Sequence, residues 1–378
     1  MSDTTAAFLQ GQGVPVALAD IEAELTRLWG PAAEQVGGPD LDQPSVTRVV
    51  LANLVVARGE DEAARIDGVL DILASRYPCR TIVLRSTADP ERRVLAEVSA
   101  LCHLPAPGLP QVCSERISLG VSASARDLVP GVVRPLLEAD LPCVLWWAEA
   151  PVERDRLFLE LAGDATRVLL EPPESADPRA LYKALDPEKH PFARDVAWYG
   201  ITRWRELVAG LFDPSEAREA LGRIATVEVR ALATTASSPP RVAAWLAAWL
   251  AGQLGWERLR RVANAPGQVE ATFRGPNGDV AVRIVTTDDP SATIARLSGV
   301  SLTALGHGGA HRFQIDRPDA SGVEVRIEET CPGQPTQSRT LAVPEPDAAG
   351  RVAAALESTR EDPPFLAALP HAFWLLGA

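Results

Sequence analysis

Apolar positions along the chain change period several times, and each change predicts an element. Between Val16 and Trp29, Ile21, Leu25 and Leu28 fall on one helical stripe, with Glu22 and Glu24 off it. Asp20 can cap this helix, and Gly30-Pro31 predicts its end. Gly30 to Pro44 reads as a loop or linker. From Thr47 to Ala57, "TRVVLANLVVA" is β-branched and almost continuously apolar, the pattern of a strand buried on both faces. "DEAARIDGVLDILASRYP" then predicts an amphipathic helix with Ile66, Val69, Leu70 and Leu73 turned inward. Further buried strands are predicted at Cys79 to Ser86 and in "ERISLGVS", "PCVLWWA" and "RVLLEP". "ARDLVPGVVRPLLEADLP" reads as helical despite Pro130 and Pro135. Strands alternating with helices predict an α/β, Rossmann-like domain with a mostly parallel sheet.

The segment from Asp195 to Pro214, "DVAWYGITRWRELVAGLFDP", returns to helical spacing through Ile201, Trp204, Leu207, Val208 and Leu211. "DPSE" predicts a stop and restart, with Asp213 as cap, Pro214 at the first helical position and Glu216 at the third. After Arg223 the order changes. "IATVEVRAL" predicts a strand, and "PPRVAAWLAAWLAGQLGW" a helix carrying Trp245, Trp249 and Trp256. "QVEATFRG", "DVAVRIVTT", "HRFQIDRP" and "GVEVRIEET" alternate with period two, and "RGPNGD" signals a hairpin. Two helices close the chain. The expected organisation is an N-terminal helix and linker over 1–45, the Rossmann-like domain over 46–220, and a smaller α+β domain with a largely antiparallel sheet over 221–378.

At 378 residues and 46% hydrophobic, the chain can bury a sizeable core. A net charge of −13 disfavours nucleic-acid binding, which needs clustered cations. Lys183 and Lys189 are the only lysines, so the arginine excess reads as compositional bias. Five cysteines (Cys79, Cys102, Cys113, Cys143 and Cys331) with no CxxC argue against a disulfide-stapled secreted fold. No apolar run is long enough for a membrane span, so a cytoplasmic location is expected.

Catalytic motifs are missing where the pattern would place them. No GxGxxG follows the first strand and no GxxxxGK[ST] occurs. "GVSAS" lacks the second glycine of a nucleophile elbow; Ser124 with Asp127 reads better as a helix cap, although an anion could rest there. His307 and His311 in "HGGAH" lie on a glycine-rich turn without a third ligand. His103 and Cys102 fall in a Pro-rich loop, and the cysteines elsewhere sit in apolar strands as small hydrophobes. No cofactor or metal is expected.

Tryptophan and arginine remain. Trp146 and Trp147 are adjacent at a strand's end and must point to opposite faces. Trp204 belongs to the buried helical stripe, flanked by Arg203 and Arg205 with Glu206 following. These residue types are enriched in interface hot spots. Trp146, Trp147, Arg203, Trp204 and Arg205 are therefore the candidates for forming or bracing a partner surface.

Taken together, "LANLVV", "LPCVLWWAEAP" and "DVAWYGITRWRELVAGLFDP" resemble the glucose-6-phosphate dehydrogenase assembly protein family, OpcA. The matching positions are Asn53 to Val56, Pro142 to Trp147 and Thr202 to Pro214, and the last is the most specific. The resemblance implies an adaptor without assigned catalytic residues. Such a protein associates with glucose-6-phosphate dehydrogenase, promotes its active oligomer and raises its activity in the oxidative pentose phosphate pathway. Cyanobacterial members carry a thiol-based redox input, which no cysteine motif here matches. The competing expectation is an enzyme or sensor that binds a phosphorylated sugar or nucleotide at the sheet's C-terminal crevice.

Overall fold

The computed structural model describes residues 12–34, 46–88, 91, 93–103, 111–150, 155–236, 238–306, 309–318, 323–358 and 361–378. It divides into two compact units of near-equal size. The first comprises Met1–Pro173, Ala184–Arg194 and Ala355–Glu357; the second comprises Glu174–Lys183, Asp195–Ala354 and Ser358–Ala378.

The first unit is built on β1 (Val14–Val16), β2 (Val46–Arg48), β3 (Asn53–Arg58), β4 (Arg80–Thr87), β5 (Val94–His103), β6 (Gln111–Ser122), β7 (Cys143–Trp147), β8 (Arg167–Leu170) and β9 (Ala193–Asp195). Its helices are α1 (Ile21–Glu34), α2 (Ala63–Arg76), the short α3 (Val129–Val133) and α4 (Arg156–Asp164). The sheet order is β1-β5-β6-β4-β3-β7-β8-β9, with β2 beside β6. Its parallel part, β6-β4-β3-β7-β8, has the 3-2-1-4-5 strand order of a doubly wound sheet. Every residue of β3 and β7 is buried, which is why their sequences show no polar alternation. Ile66, Val69, Leu70 and Leu73 of α2 are buried as their spacing predicts.

Several boundaries differ from the sequence reading. The α1 helix runs through Gly30-Pro31 to Glu34, past the predicted stop. Thr47 to Ala57 is two strands, not one: β2 joins β6, and β3 joins β4 and β7. The start of the long expected helix is a 3-10 turn, Ala123–Leu128, whose cap position is Ser122 rather than Ser124. Antiparallel β5 was unrecognised, because Glu97 and Ser99 interrupt its apolar run. Cys102 and His103 consequently lie on a strand, and Cys102 faces Cys113 directly across the β5–β6 pair. The two are joined by a disulfide. Much of the expected 30–44 linker, at 35–45, lies outside the described residues.

The second unit contains α5 (Pro178–Ala184), α6 (Val196–Gly200), α7 (Thr202–Gly210), α8 (Ser215–Ala220), α9 (Arg241–Gln253), α10 (Ala348–Glu357) and α11 (Pro363–Leu376). Its strands are β10 (Ile224–Ala233), β11 (Glu257–Ala265), β12 (Gln268–Gly275), β13 (Gly278–Asp288), β14 (Arg296–Gly306), β15 (Gly309–Asp316), β16 (Glu324–Thr330) and β17 (Gln337–Ala342). They are ordered β11-β12-β13-β10-β14-β15-β16-β17, and only the β10–β13 pairing is parallel. The "RGPNGD" hairpin joins β12 to β13, with Gly275 opposite Gly278 and a φ of 136° at Gly278 that favours glycine. The α9 helix ends at Gln253, so Trp256 lies beyond it, buried near Phe273. Asp213 does not cap α8; Pro214 occupies that position without a side-chain bond.

The division near residue 220 does not coincide with these units. Helices α6 and α7 pack against α9, with Trp198 edge-on to Trp245 at 5.3 Å, so the Trp-Arg segment sorts with the antiparallel sheet.

Three cysteines are free: Cys79 and Cys143 are buried and Cys331 is half-buried. Burial pushes the Cys79 thiol up to about 12 and the Cys143 thiol up to about 11. The thiolate is the nucleophile, so the native protein should react quickly with Ellman's reagent at Cys331 alone. Cys79 and Cys143 should follow only after unfolding, and a second fast thiol in the native state would contradict their burial.

Candidate functional site

In a doubly wound sheet the ligand crevice lies at the carboxyl ends of the strands, where the strand order reverses. Here that is the gap between β3 and β7. The chain leaves β3 through Gly59-Glu60-Asp61-Glu62 and enters α2. Glu62 caps the helix position without a side-chain bond. Three carboxylates thus stand where a glycine-rich turn would hold a pyrophosphate against a helix N-terminus. The helix dipole already has its anions.

The remaining charges at these strand ends are paired with one another. Arg65 donates to Glu62 at 2.6 Å and to Glu171, just past β8, at 2.9 Å. Arg126 donates to Glu149, just past β7, at 3.2 Å and to Asp155 at 3.0 Å. Asp155 also caps α4 through the Leu157 and Phe158 amides. Glycine and free donors are what a dinucleotide's pyrophosphate requires, and this turn offers carboxylates instead. The residues present do not fit that cofactor.

Trp146 and Trp147 are both fully buried. Trp146 donates its indole N–H to Glu171 at 3.1 Å. Trp147 packs edge-on to Phe158 at 5.2 Å under the Arg126 guanidinium, 5.9 Å from its ring centre. Its Nε1 has no hydrogen-bond partner among the described residues. Neither ring presents a surface, so each can brace a contact and cannot make one.

The same holds for Trp204 in the second unit, which is 1% exposed. Arg317 lies 5.6 Å from its ring centre, and Gly200 leaves only 3.0 Å between a would-be Cβ and the Arg351 guanidinium. Arg205 is half-buried and stacks on Trp198, its Cζ 3.9 Å from the ring centre, with Nη2 bonded to Thr202. Desolvation lowers its pKa against the pull of Asp362. Arg203 differs from both: it is exposed and pairs with Glu206 across one helical turn at 2.8 Å. Of the five candidates, only Arg203 offers its charge to solvent.

The anchors of this segment include residues the sequence reading passed over. Asp195 is fully buried. One of its oxygens caps α6 through the Ala197 amide, and the other accepts from Trp245 Nε1 at 2.9 Å and faces Arg241 at 3.2 Å. Asp362 caps α11 through the Phe365 amide and accepts from Trp198 Nε1 at 2.7 Å. Glu345 is half-buried beside Arg351 at 3.8 Å and Arg317 at 4.0 Å; desolvation raises its pKa while both arginines oppose the rise. The capping position of Asp195 before "VAW" was a readable signal. Its bonds to residues about fifty positions away were not.

No cluster of three metal-type side chains occurs among the described residues. The Cys102 sulfur is committed to its disulfide and is not a nucleophile. His311 lies on β15, and His307 lies outside the described residues. No helix among the described residues is long and apolar enough to cross a membrane.

Two family models match the chain: the glucose-6-phosphate dehydrogenase subunit N-terminal domain over residues 71–186, and the corresponding C-terminal domain over residues 191–369. The chain belongs to the OpcA family of glucose-6-phosphate dehydrogenase assembly proteins. It is 26% identical over 270 residues to OpcA of Synechococcus elongatus, covering 69% of this chain and 57% of that protein. It is 28% identical over 289 residues to OpcA of Nostoc punctiforme, covering 69% and 61%. Both names mark candidate OxPP cycle proteins. The chain spans about three fifths of the length of these curated relatives. Among solved structures, KijD10, a 3-ketoreductase from Actinomadura kijaniata in complex with TDP-benzene and NADP, matches with a TM-score of 0.50 at 12% identity. That match covers 85% of this chain and 94% of KijD10, and it concerns the fold alone.

Two substitutions should separate packing from surface. Arg205→Ala should lower unfolding free energy by ~1–2 kcal/mol through loss of a desolvated cation–π stack, whereas Arg203→Ala should stay within ~0.5 kcal/mol. Asp195→Ala takes from buried Arg241 its nearer carboxylate, leaving Glu174 at 3.6 Å, and should cost ~3–5 kcal/mol with loss of the Ala197 cap and the Trp245 acceptor. Urea melts of the three variants check the ranking, and equal losses at 203 and 205 would contradict it.

Proposed function

We propose that this chain is a non-catalytic assembly factor and allosteric activator of glucose-6-phosphate dehydrogenase. In this reading it binds the enzyme in the cytoplasm and favours its active oligomer in the oxidative pentose phosphate pathway. The observation that carries the reading is that both halves of the chain match the two domains of a glucose-6-phosphate dehydrogenase subunit family. The acidic turn after β3 supports it, because carboxylates there oppose a phosphorylated sugar or nucleotide at the crevice.

An activator must bind the active form more tightly than the inactive one, and each ~1.4 kcal/mol of difference shifts the balance about tenfold. Arg203 is the candidate that can reach a partner, with Trp204 and the Trp198–Arg205 stack holding its helix in place. Trp146 and Trp147 have the same bracing role in the first unit.

Activity of the cognate dehydrogenase should rise when this chain is added, and mass photometry should show a joint complex. Arg203→Glu should cut the activation at least about tenfold, as loss of a central charge contact does, with an unchanged melting temperature. No complex and no activation with the wild-type chain would overturn the proposal. NADP(H) or glucose 6-phosphate binding by the isolated chain would instead favour a sensor or enzyme.

A further inference from the structure

The two edges of the second unit's sheet are built differently. Strand β11 is charged at Glu257, Arg258, Arg260 and Arg261, and its pairing with β12 shifts register twice. Charge and bulges are the usual means of keeping an edge from pairing with another chain. Strand β17 has a single charge and no bulge. Its six residues, Gln337 to Ala342, are all exposed, carry one charge at Arg339, and pair with β16 without a register shift. Among the described residues β16 is its only strand partner.

The side chains are also unfinished at this edge. Val325 and Ile327 of β16 are buried, and their cross-strand partners Leu341 and Arg339 continue the same face. Leu341 is 40% exposed, and Val323 at the adjacent corner is 42% exposed. One further strand would cover them.

We infer that this edge pairs with the same strand of a second copy, β17 to β17 antiparallel about a two-fold axis. The sequence is self-complementary in a way that selects the register. Two registers pair five residues of the strand with both cores on one side of the sheet: one centred on Arg339, the other on Thr340. Centring on Arg339 sets two like charges directly opposite, which is unfavourable. Centring on Thr340 sets Thr against Thr, a favourable pair, and lays each Arg339 stem over the other copy's Leu341. Ser338 then meets Ala342. The second copy is the occupant this argument selects, because the same five residues, Ser338 to Ala342, satisfy both sides of the ladder.

The test uses the full chain alone, so its outcome is independent of the dehydrogenase. Sedimentation velocity should show a concentration-dependent dimer. In a Cys331→Ser background, Thr340→Cys should give an SDS-resistant dimer on mild oxidation. Leu341→Cys, displaced from the axis, should give at least about fivefold less. Thr340→Lys, at an exposed position, should weaken self-association about tenfold with unchanged thermal unfolding. A monomer at all concentrations without cross-linking would overturn the inference. So would a dimer indifferent to Thr340→Lys.

Discussion

The second unit depends on one buried carboxylate. Asp195 is removed from water, so its oxygens must find donors inside the protein. One is spent on the first turn of α6, and the other on the Trp245 indole and the Arg241 guanidinium of α9. These bonds fix the register between α6 and α9, since sliding either helix would leave a charge unpaired. Asp362 repeats the arrangement, capping α11 with one oxygen and holding Trp198 with the other. Each aspartate is therefore a helix cap and a tryptophan clamp at once. The clamped rings meet at 5.3 Å, and Phe365 joins both, stacking on Trp245 at 4.9 Å. Trp198 and Trp245 are scaffold, held by polar groups rather than by packing alone.

The first unit combines a doubly wound strand order with an acidic first turn. Strand order needs only buried, β-branched strands and right-handed crossovers. The ligand needs a turn whose backbone amides face an anion. In this chain the sheet is present while the turn after β3 carries Glu60, Asp61 and Glu62. The arginines nearby are tied to Glu171, Glu149 and Asp155. Fold and function separate at a handful of loop positions.

Periodicity made the strongest elements legible. The parallel strands β3, β4, β7 and β8, helix α2 and the β12–β13 hairpin were readable because burial on one or both faces writes itself into local spacing. Strand β5 was not, since an antiparallel strand with Glu97 and Ser99 has no sustained period. The Cys102–Cys113 link was equally hidden, because it follows from that strand's register. The inward turn of Trp204 was visible from Ile201 and Val208, but the stacking of Arg205 on Trp198 was not. Seven positions spread over two successive short helices carry no fixed angular relation. The two-unit division escaped for a related reason: α6 and α7 follow the parallel strands in sequence, while their partners lie in α9 and α11.

The acidic turn after β3 also constrains how this protein can change. Replacing Glu60 with glycine would leave Glu62 and Glu171 holding Arg65, and the helix would remain furnished with its own anion. Releasing Arg65 by removing Glu171 would cost Trp146 its acceptor in the core. The Glu60 change thus frees no cation, and the Glu171 change loosens the core. Through that one carboxylate, the charge at the strand ends and the packing beneath it can only be redrawn together.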